Sequence, residues 1–220
     1  ASKVLLEGPL KKKEGSYLVS GRFGYPGVVA GLLGSNLTSK PQMWFYDVNA
    51  KVNRTLDARN RMFFSLYSGG DHTVFNKLVK GYGMDWGNAT ATIRWNHILN
   101  DKTNVNTSAV FSNYYYKYKS LSDGLRYVWK SNMQSYQLKS DWERYQNNLL
   151  TLKGGVNLHY FTTMPGEVGK SGKDSNITPS QMPRKSLWDA ALYAEANYKF
   201  LPHFLLNAGV RLSVLHAPAS

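Results

Sequence analysis

Apolar and polar residues alternate along much of this chain. Between positions 44 and 53 every second residue is apolar, and most of the residues between them are polar: Trp44, Tyr46, Val48, Ala50 and Val52 against Phe45, Asp47, Asn49, Lys51 and Asn53. The same alternation recurs near 89–96, 150–160, 187–199 and 206–213. A period of two puts the apolar residues on one face of a β-strand, whereas a helix would spread them around its surface. The pattern therefore predicts an all-β chain.

The length of these runs favours a membrane wall over a soluble sheet. They continue for about 10–14 residues, while strands in soluble proteins average about 5–6 and a membrane-spanning strand needs about 9–11. One face carries Leu, Val, Ala and aromatics, and the other carries Asn, Thr, Ser, Lys, Arg and Asp. That division is typical of a wall between lipid and water. We predict an antiparallel up-and-down transmembrane β-barrel of about ten strands, with residues 1–220 forming one barrel segment.

The connections between the runs are of two kinds. Short polar turns are expected near 11–15, 56–60, 100–102, 143–147 and 201–203, and longer Gly-rich or Pro-rich loops at 27–41, 70–86 and 163–186, with a short link at 121–124 as the exception. The first four turns recur about every 44 residues, which is also the period of a propeller blade. A blade needs four short strands in that interval, and this chain offers two long ones. We expect all the short turns at one end of the sheet and the loops at the other.

Aromatic residues lie near the ends of the apolar runs. The expected membrane girdle comprises Trp44, Tyr46, Trp95, Trp129, Trp142, Tyr160, Trp188 and Tyr198. Indole and phenol rings favour the depth of the lipid headgroups, where one end of the side chain is wet. The alternative interpretation is ordinary cross-strand aromatic pairing in a soluble sheet.

Composition narrows the function classes. The chain has no cysteine, which excludes a disulfide scaffold and a cysteine-ligated metal. The formal net charge of +13 suggests an anionic partner, but the basic residues are scattered and no nucleic-acid-binding motif accompanies them. The basic and aromatic stretch 114–119 is interpreted as a strand at a membrane rim rather than a single-strand nucleic-acid site. No Met begins the chain and no signal peptide is present, so the start is expected to be a processed end or the edge of an excised piece.

No motif predicts catalysis or a cofactor. Gly169-Lys170-Ser171 resembles the end of a phosphate loop, but Met164 occupies the position where such a loop needs glycine. The five histidines, at 72, 97, 159, 203 and 216, are spread without metal-ligand spacing. No nucleophile is paired with a base in the sequence. We expect a protein that is not an enzyme, with no catalytic residue, no metal site and no cofactor.

Several segments resemble a known family when they are taken in order. They are the stretch from Glu7-Gly8-Pro9 to Ser20-Gly21-Arg22, then 46–53, 61–71, 86–97, 193–195 and 207–212. Together they resemble successive barrel hairpins of TonB-dependent outer-membrane receptors, with 46–53 and 61–71 forming one of them. The resemblance implies a barrel of about 22 strands with an N-terminal plug domain, of which this chain would supply about ten strands and no recognisable plug. It also implies a place in the bacterial outer membrane, and outer-membrane lipid, a plug domain and the energising protein TonB as partners.

The expected function follows from that resemblance. It is the barrel of a receptor for energised uptake of a nutrient ligand, with siderophore-bound iron, cobalamin, a glycan and a peptide as ligand classes. Two alternatives stay open: a small autonomous outer-membrane barrel acting as passive pore or adhesin, and a soluble all-β binding module. The expected ligand-binding residues are Lys170, Lys173, Arg184 and Lys185 in loop 163–186, and Lys153, Glu195 and Arg211 on the lumen side. Three glycines are expected to make the first half of that loop mobile.

Overall fold

The computed structural model describes residues 1–11, 14–28, 42–76, 81–122, 125–172, 175–201 and 203–218. These residues form eleven strands: β1 Ser2–Lys11, β2 Gly15–Gly24, β3 Gln42–Thr55, β4 Asn60–Asn76, β5 Gly81–Asn100, β6 Thr103–Ser120, β7 Tyr127–Tyr145, β8 Leu150–Lys170, β9 Ser180–Gln181, β10 Lys185–Leu201 and β11 Phe204–His216. Ten of them are long, which confirms the expected number. No helix among the described residues is long and apolar enough to cross a membrane.

The strands form a single antiparallel sheet in chain order. Each long strand pairs with the next along the sequence, and the two-residue β9 pairs with the upper part of β8. The expected up-and-down arrangement is confirmed. Within the described residues, β1 pairs only with β2 and β11 only with β10, so the sheet is open rather than closed on itself.

The pairing register separates an apolar face from a polar face. Directly opposite residues of an antiparallel pair point to the same side, so one residue per strand defines a row across the sheet. One continuous row of the apolar face is Leu6, Val19, Ala50, Leu66, Ala91, Phe111, Tyr136, Tyr160, Trp188 and His216. The expectation that Ala89, Ala91, Ile93, Leu150, Leu152 and Leu158 share this face is confirmed by the same register.

No second layer covers the apolar face in the part of the chain that the structure describes. Ile93, Leu152 and Leu158 are exposed, and Ala89, Ala91 and Leu150 are half-buried. Ala191 is the one fully buried hydrophobic residue among those described. A soluble sheet would bury its apolar face against another layer, so this arrangement fits a wall that faces lipid.

The five short turns expected from the sequence all lie at one end of the sheet, here called the turn end. The connections after β2, β4, β6 and β8 lie at the other end, the loop end, and those after β4 (77–80) and β6 (121–126) are short as well. The meander order requires this, because turns follow every odd-numbered strand up to β7 and also β10. Asparagine or aspartate closes three of the turns. Asn147 Oδ1 accepts hydrogen bonds from the N–H groups of Leu149 and Leu150 at 2.9 Å each, and Asn100 Oδ1 accepts one from Lys102 at 3.0 Å.

The third of these turns carries a titratable side chain. Asp57 Oδ1 accepts a hydrogen bond of 2.7 Å from the N–H of Arg59, and the Asn60 side chain donates to both carboxylate oxygens. The hydrogen bond from the Arg59 backbone N–H has the largest effect and those from the Asn60 side chain the next largest, and together they lower the pKa of Asp57 below its usual range. The carboxylate therefore stabilises the turn at neutral pH, and this contribution is lost as pH falls through the lowered pKa.

Two of the three expected loops, 70–86 and 163–186, are largely strand, and these two expectations were wrong. Strand β4 continues to Asn76 and β5 begins at Gly81, so most of 70–86 is paired sheet. Gly70 of the expected loop and Gly87 just after it make room for rings instead. A Cβ added at Gly70 would lie 3.0 Å from both the Tyr46 ring and the Tyr115 hydroxyl, and one at Gly87 would lie 2.8 Å from that hydroxyl.

Loop 163–186 is also shorter than expected. Strand β8 extends to Lys170, and β9 pairs Glu167 with Gln181 and Val168 with Ser180. The connection is therefore 171–184, interrupted by β9. Gly166 and Gly169 belong to a paired strand, so they do not loosen the loop. Loop 27–41 lies outside the described residues except for its first two positions.

Candidate functional site

The polar face is the candidate functional surface, and its charges are held by neighbours. On β7, β8, β10 and β11 it carries Lys139, Asp141, Glu143, Lys153, Asn157, Tyr193, Glu195 and Arg211, here called the polar wall. The register brings the three expected lumen residues into it: Lys153 is directly opposite Glu195, and Arg211 is directly opposite Tyr193.

Within the polar wall, each acid has a defined partner. The hydroxyl of Tyr193 donates to Asp141 Oδ1 at 2.6 Å, and Lys139 Nζ lies 2.9 Å from Asp141 Oδ2. Lys153 Nζ lies 3.4 Å from Glu143 Oε1. Glu195 Oε1 accepts hydrogen bonds of 2.9 Å from the side-chain amides of Asn197 and Asn207. Lys139, Tyr193 and Glu195 border a polar depression of about 530 Å³, together with Gln137, Asn157 and Arg211 among others.

Aromatic faces and a carboxylate also hold two arginines of the earlier strands. Arg22 Nε lies 2.6 Å from Asp47 Oδ2, and its guanidinium lies 5.0 Å from the centre of the Phe45 ring. The guanidinium of Arg94 lies 4.3 Å from the Phe63 ring centre. Long side chains fixed in this way present donors at defined positions, which favours contact with a protein or ligand on the polar side.

An aromatic row crosses the polar face at the loop end. It consists of Phe75, Tyr82, Tyr118, Tyr127 and Trp129, and is called the mouth row below. Ring centres of Phe75 and Tyr82 are 5.0 Å apart, those of Tyr82 and Tyr118 6.3 Å, and those of Tyr118 and Tyr127 5.9 Å. Trp129 is directly opposite Tyr118 and lies over Gly166, where an added Cβ would be 2.4 Å from the indole.

The loop that connects β8 to β10 is fixed beside this row. Ser175 is buried and its hydroxyl donates to the carbonyl of Arg126, and Ser171 is buried as well. The N–H of Met182 donates to the Gly166 carbonyl at 2.8 Å. Gly172 has a φ of +102°, which favours glycine because other residues are strained there. The loop is thus anchored at both ends, contrary to the expected mobile first half.

The expected ligand-binding residues of this loop lie around its ends. Lys170 ends β8 and is directly opposite Tyr127 of the mouth row. Lys185 begins β10, and the exposed Arg184 precedes it. Lys173 lies outside the described residues. The structure therefore sets Lys170 next to the mouth row, and a role for these residues in binding stays a prediction.

Seven of the eight expected girdle residues share the apolar face. Near the turn end these are Trp95, Trp142 and Tyr198, and towards the loop end they are Trp44, Tyr46, Tyr160 and Trp188. Trp188 and Tyr160 have ring centres 4.5 Å apart. Trp129 lies on the polar face instead, because its partner Tyr118 does. Membrane anchoring by the seven stays a prediction.

Sequence reasoning missed the mouth row because it treated 114–119 as one feature. The register divides that stretch: Tyr114, Tyr116 and Tyr118 lie on the polar face, and Tyr115, Lys117 and Lys119 lie on the apolar face. Its period of two was the available signal. Within the described ranges, no group of three or more His, Cys, Asp or Glu side chains is arranged to hold a metal ion.

A single sheet with one exposed apolar face and one ordered polar face defines the wall of a membrane β-barrel. The family described as TonB dependent receptor-like, beta-barrel matches residues 28–216. The chain belongs to this family. The family and fold are those of transport receptors rather than enzymes, and the family implies the outer membrane.

Solved structures agree on the fold. BauA, the ferric preacinetobactin receptor of Acinetobacter baumannii, superposes with a TM-score of 0.71 over 98% of this chain and 39% of its own, at 12% identity. The copper transporter OprC gives 0.70 over 96% and 35%, at 11% identity. The outer membrane transporter YddB of Escherichia coli gives 0.70 over 97% and 33%, at 11% identity. This chain thus spans well under half the length of these proteins. Among curated proteins, no sequence gives a match.

Proposed function

We propose that this chain forms part of the barrel wall of an outer-membrane receptor, which takes up a nutrient ligand with energy delivered through TonB. The observation that carries the proposal is the match of 189 consecutive residues, 28–216, to the receptor barrel family. The division of the sheet into an apolar and a polar face supports it, because lipid and a water-filled lumen require that division.

In this proposal the polar wall contacts the plug domain. Its acids, Lys139 and Lys153 are already ion-paired or hydrogen-bonded within the wall, and Arg211 donates a hydrogen bond to Ser213, so a plug would meet groups that are largely fixed in position. Such a surface gives specificity and register while binding weakly enough to be released. In this proposal, side chains of the plug bind in the polar depression beside Tyr193 and Arg211.

The mouth row and the anchored loop form the ligand-capture surface of the proposed receptor. Stacked rings offer apolar area and π-faces at low entropic cost, and Lys170 adds positive charge beside them. Lys185 adds a second charge at the start of β10. Three similar structures are described as a ferric preacinetobactin receptor, a siderophore receptor and a copper transporter. We infer that the ligand of this chain is a metal-bearing one as well.

The test uses cells that carry the intact receptor. Uptake of radioiron chelates, radiocopper and radiolabelled cobalamin is compared among cells with the receptor, without the receptor, and with the receptor but without TonB. We expect uptake of an iron chelate or of copper to require both proteins. Uptake that needs the receptor but not TonB would indicate the passive-pore alternative. Cobalamin carries cobalt, so uptake of cobalamin alone would keep a metal-bearing ligand but exclude iron chelates and copper. Receptor-dependent uptake of none of the three would refute the metal-bearing inference.

A further inference from the structure

The apolar face carries a row of charge at its loop end that transport does not explain. Successive strands contribute directly opposite residues to this row: Trp44, His72, Asp85, Lys117, Lys130 and Glu167. Lys119 lies two positions beyond Lys117 on the same face. Lys117, Lys119 and Lys130 are called the lysine cluster below. All three are exposed.

The acids of the row only partly neutralise the lysine cluster. Lys117 Nζ lies 3.8 Å from Oδ2 of Asp85, and the Oδ1 atom of the same carboxylate contacts the His72 ring. Lys130 Nζ lies 3.5 Å from Glu167 Oε1. No ion pair among the described residues engages Lys119. Lys117 and Lys130 are directly opposite each other, and like charges in that position destabilise a sheet. An anion bound across the pair would relieve that repulsion.

The height of the cluster corresponds to a lipid headgroup layer. On β7, Lys130 is twelve positions from Trp142 on the same face. Twelve residues at about 3.3 Å each extend about 40 Å, and a strand tilt of about 40° leaves about 30 Å along the membrane normal. The apolar band of an outer-membrane barrel is about 25 Å tall. If Trp142 marks its lower edge, Lys130 lies just above its upper edge.

An apolar groove lies below the cluster on the same strands. It has a volume of about 720 Å³ and is lined by Phe111, Tyr136, Leu138, Leu158, Tyr160 and Trp188, among others. Phe111 and Lys117 are both on β6, and Tyr136 and Lys130 are both on β7, each six positions apart on the apolar face. A lipid has this combination of parts, with phosphate at the headgroup and an acyl chain beneath it.

We propose that the lysine cluster binds the phosphate groups of an outer-leaflet lipid whose acyl chain lies in the groove below. Three lysines above one apolar groove match the charge and the shape of such a lipid, and one bridging phosphate separates the opposed lysines. The site is a fixed lipid position on the outer wall of the receptor. It requires the apolar face to lie in the outer membrane, but not that the receptor transports any ligand.

The test measures binding of lipopolysaccharide to the purified intact receptor in a neutral detergent. The double variant Lys117→Gln with Lys130→Gln is compared with Lys102→Gln and Lys199→Gln, which removes the same charge at the turn end. Each lysine near an anionic lipid surface contributes roughly a factor of five to affinity, so we expect roughly thirtyfold weaker binding for the cluster variant. The control variant should bind as the unaltered receptor does.

Three outcomes would overturn the proposal. Unchanged affinity of the cluster variant, with normal folding by heat-modifiable gel migration, removes the lysines from lipid binding. Equal binding of dephosphorylated lipopolysaccharide removes the phosphate contact. Displacement of the lipid by inorganic phosphate at equal concentration assigns the cluster to free phosphate instead. A cluster variant that is at least as heat-stable as the unaltered receptor in neutral detergent would support the proposal, because it relieves the opposed charges.

Discussion

At the residue scale, glycines and aromatic rings are complementary across this sheet. A Cβ added at Gly24 would lie 2.2 Å from the Phe45 ring, and one at Gly155 would lie 2.6 Å from the Tyr193 ring. Each of these glycines sits beneath a ring from another strand, so the side chain that is missing is replaced by a neighbour's. At these positions glycine therefore leaves room for a ring. Among the described glycines, Gly172 alone has a positive φ that other residues rarely adopt.

A pair of alanine substitutions separates these two uses of glycine. Gly169 and Gly172 both have open space where a Cβ would be, but only Gly172 has a positive φ. Gly172→Ala should destabilise the anchored loop by about 1–2 kcal/mol, and Gly169→Ala should not. Hydrogen exchange at the Met182 amide, which bonds to Gly166, measures the loss as about tenfold or faster exchange. Equal exchange in both variants would show that the turn at Gly172 is not strained by a side chain.

At the element scale, the strands are longer than a membrane needs. Strands β5 to β8 have 18 to 21 residues, whereas about 9–11 are enough to cross. The surplus extends beyond the apolar band at the loop end. Both the mouth row on one face and the lysine cluster on the other belong to these extensions. A single strand such as β6 therefore serves the proposed ligand site and the proposed lipid site through alternate residues.

Two tryptophans on opposite faces test this division of labour. Trp129→Ala removes a ring of the mouth row and should weaken ligand binding by the intact receptor about tenfold, since stacked rings contribute about 0.5–1.5 kcal/mol beyond their buried area. Trp188→Ala removes a ring from the apolar face and should leave ligand binding unchanged. Binding of the ligand identified by the uptake experiment, measured on whole cells at matched surface expression, distinguishes the two. Equal losses would contradict separate roles for the faces.

At the scale of the whole molecule, an open sheet has two exposed faces and two unpaired edges. The side chains of β11 are exposed along its whole length, and β1 is nearly as exposed. Unpaired strand edges are costly in lipid, because no water is present to satisfy their backbone groups. In the proposed receptor, further barrel strands pair with β1 and β11.

Arginine substitutions on opposite faces test which side meets lipid. Leu158 lies near mid-height on the apolar face, and Val110 lies on the polar face. Leu158→Arg should destabilise the intact receptor by about 2–4 kcal/mol, and Val110→Arg by far less. Urea unfolding in lipid vesicles measures both. A larger loss for Val110→Arg would reverse the assignment of the faces.

The alternation of residue types, together with the spacing of the short turns, was sufficient to predict about ten strands, their antiparallel order and the two faces. These features follow from local chemistry, because a period of two is meaningful only on an extended chain with different surroundings on each side. Residues such as Ala91, Ile93 and Leu158 could be assigned to the apolar face from that period alone. The order of the resembling segments was also sufficient to indicate the receptor family that the 28–216 match shows.

The pairing register decided what the alternation could not. Gly70 suggested a loop until the structure placed it beneath Tyr46 and Tyr115, which are distant in sequence. Trp129 and Lys130 are neighbours in the chain, yet one joins the mouth row and the other the lysine cluster, because each is fixed by its partner on β6. Such contacts join residues from different strands, and a shift of one residue would move every side chain to the other face. A single strand's sequence contains no information about its neighbour's register, so only the assembled sheet determines which residues meet.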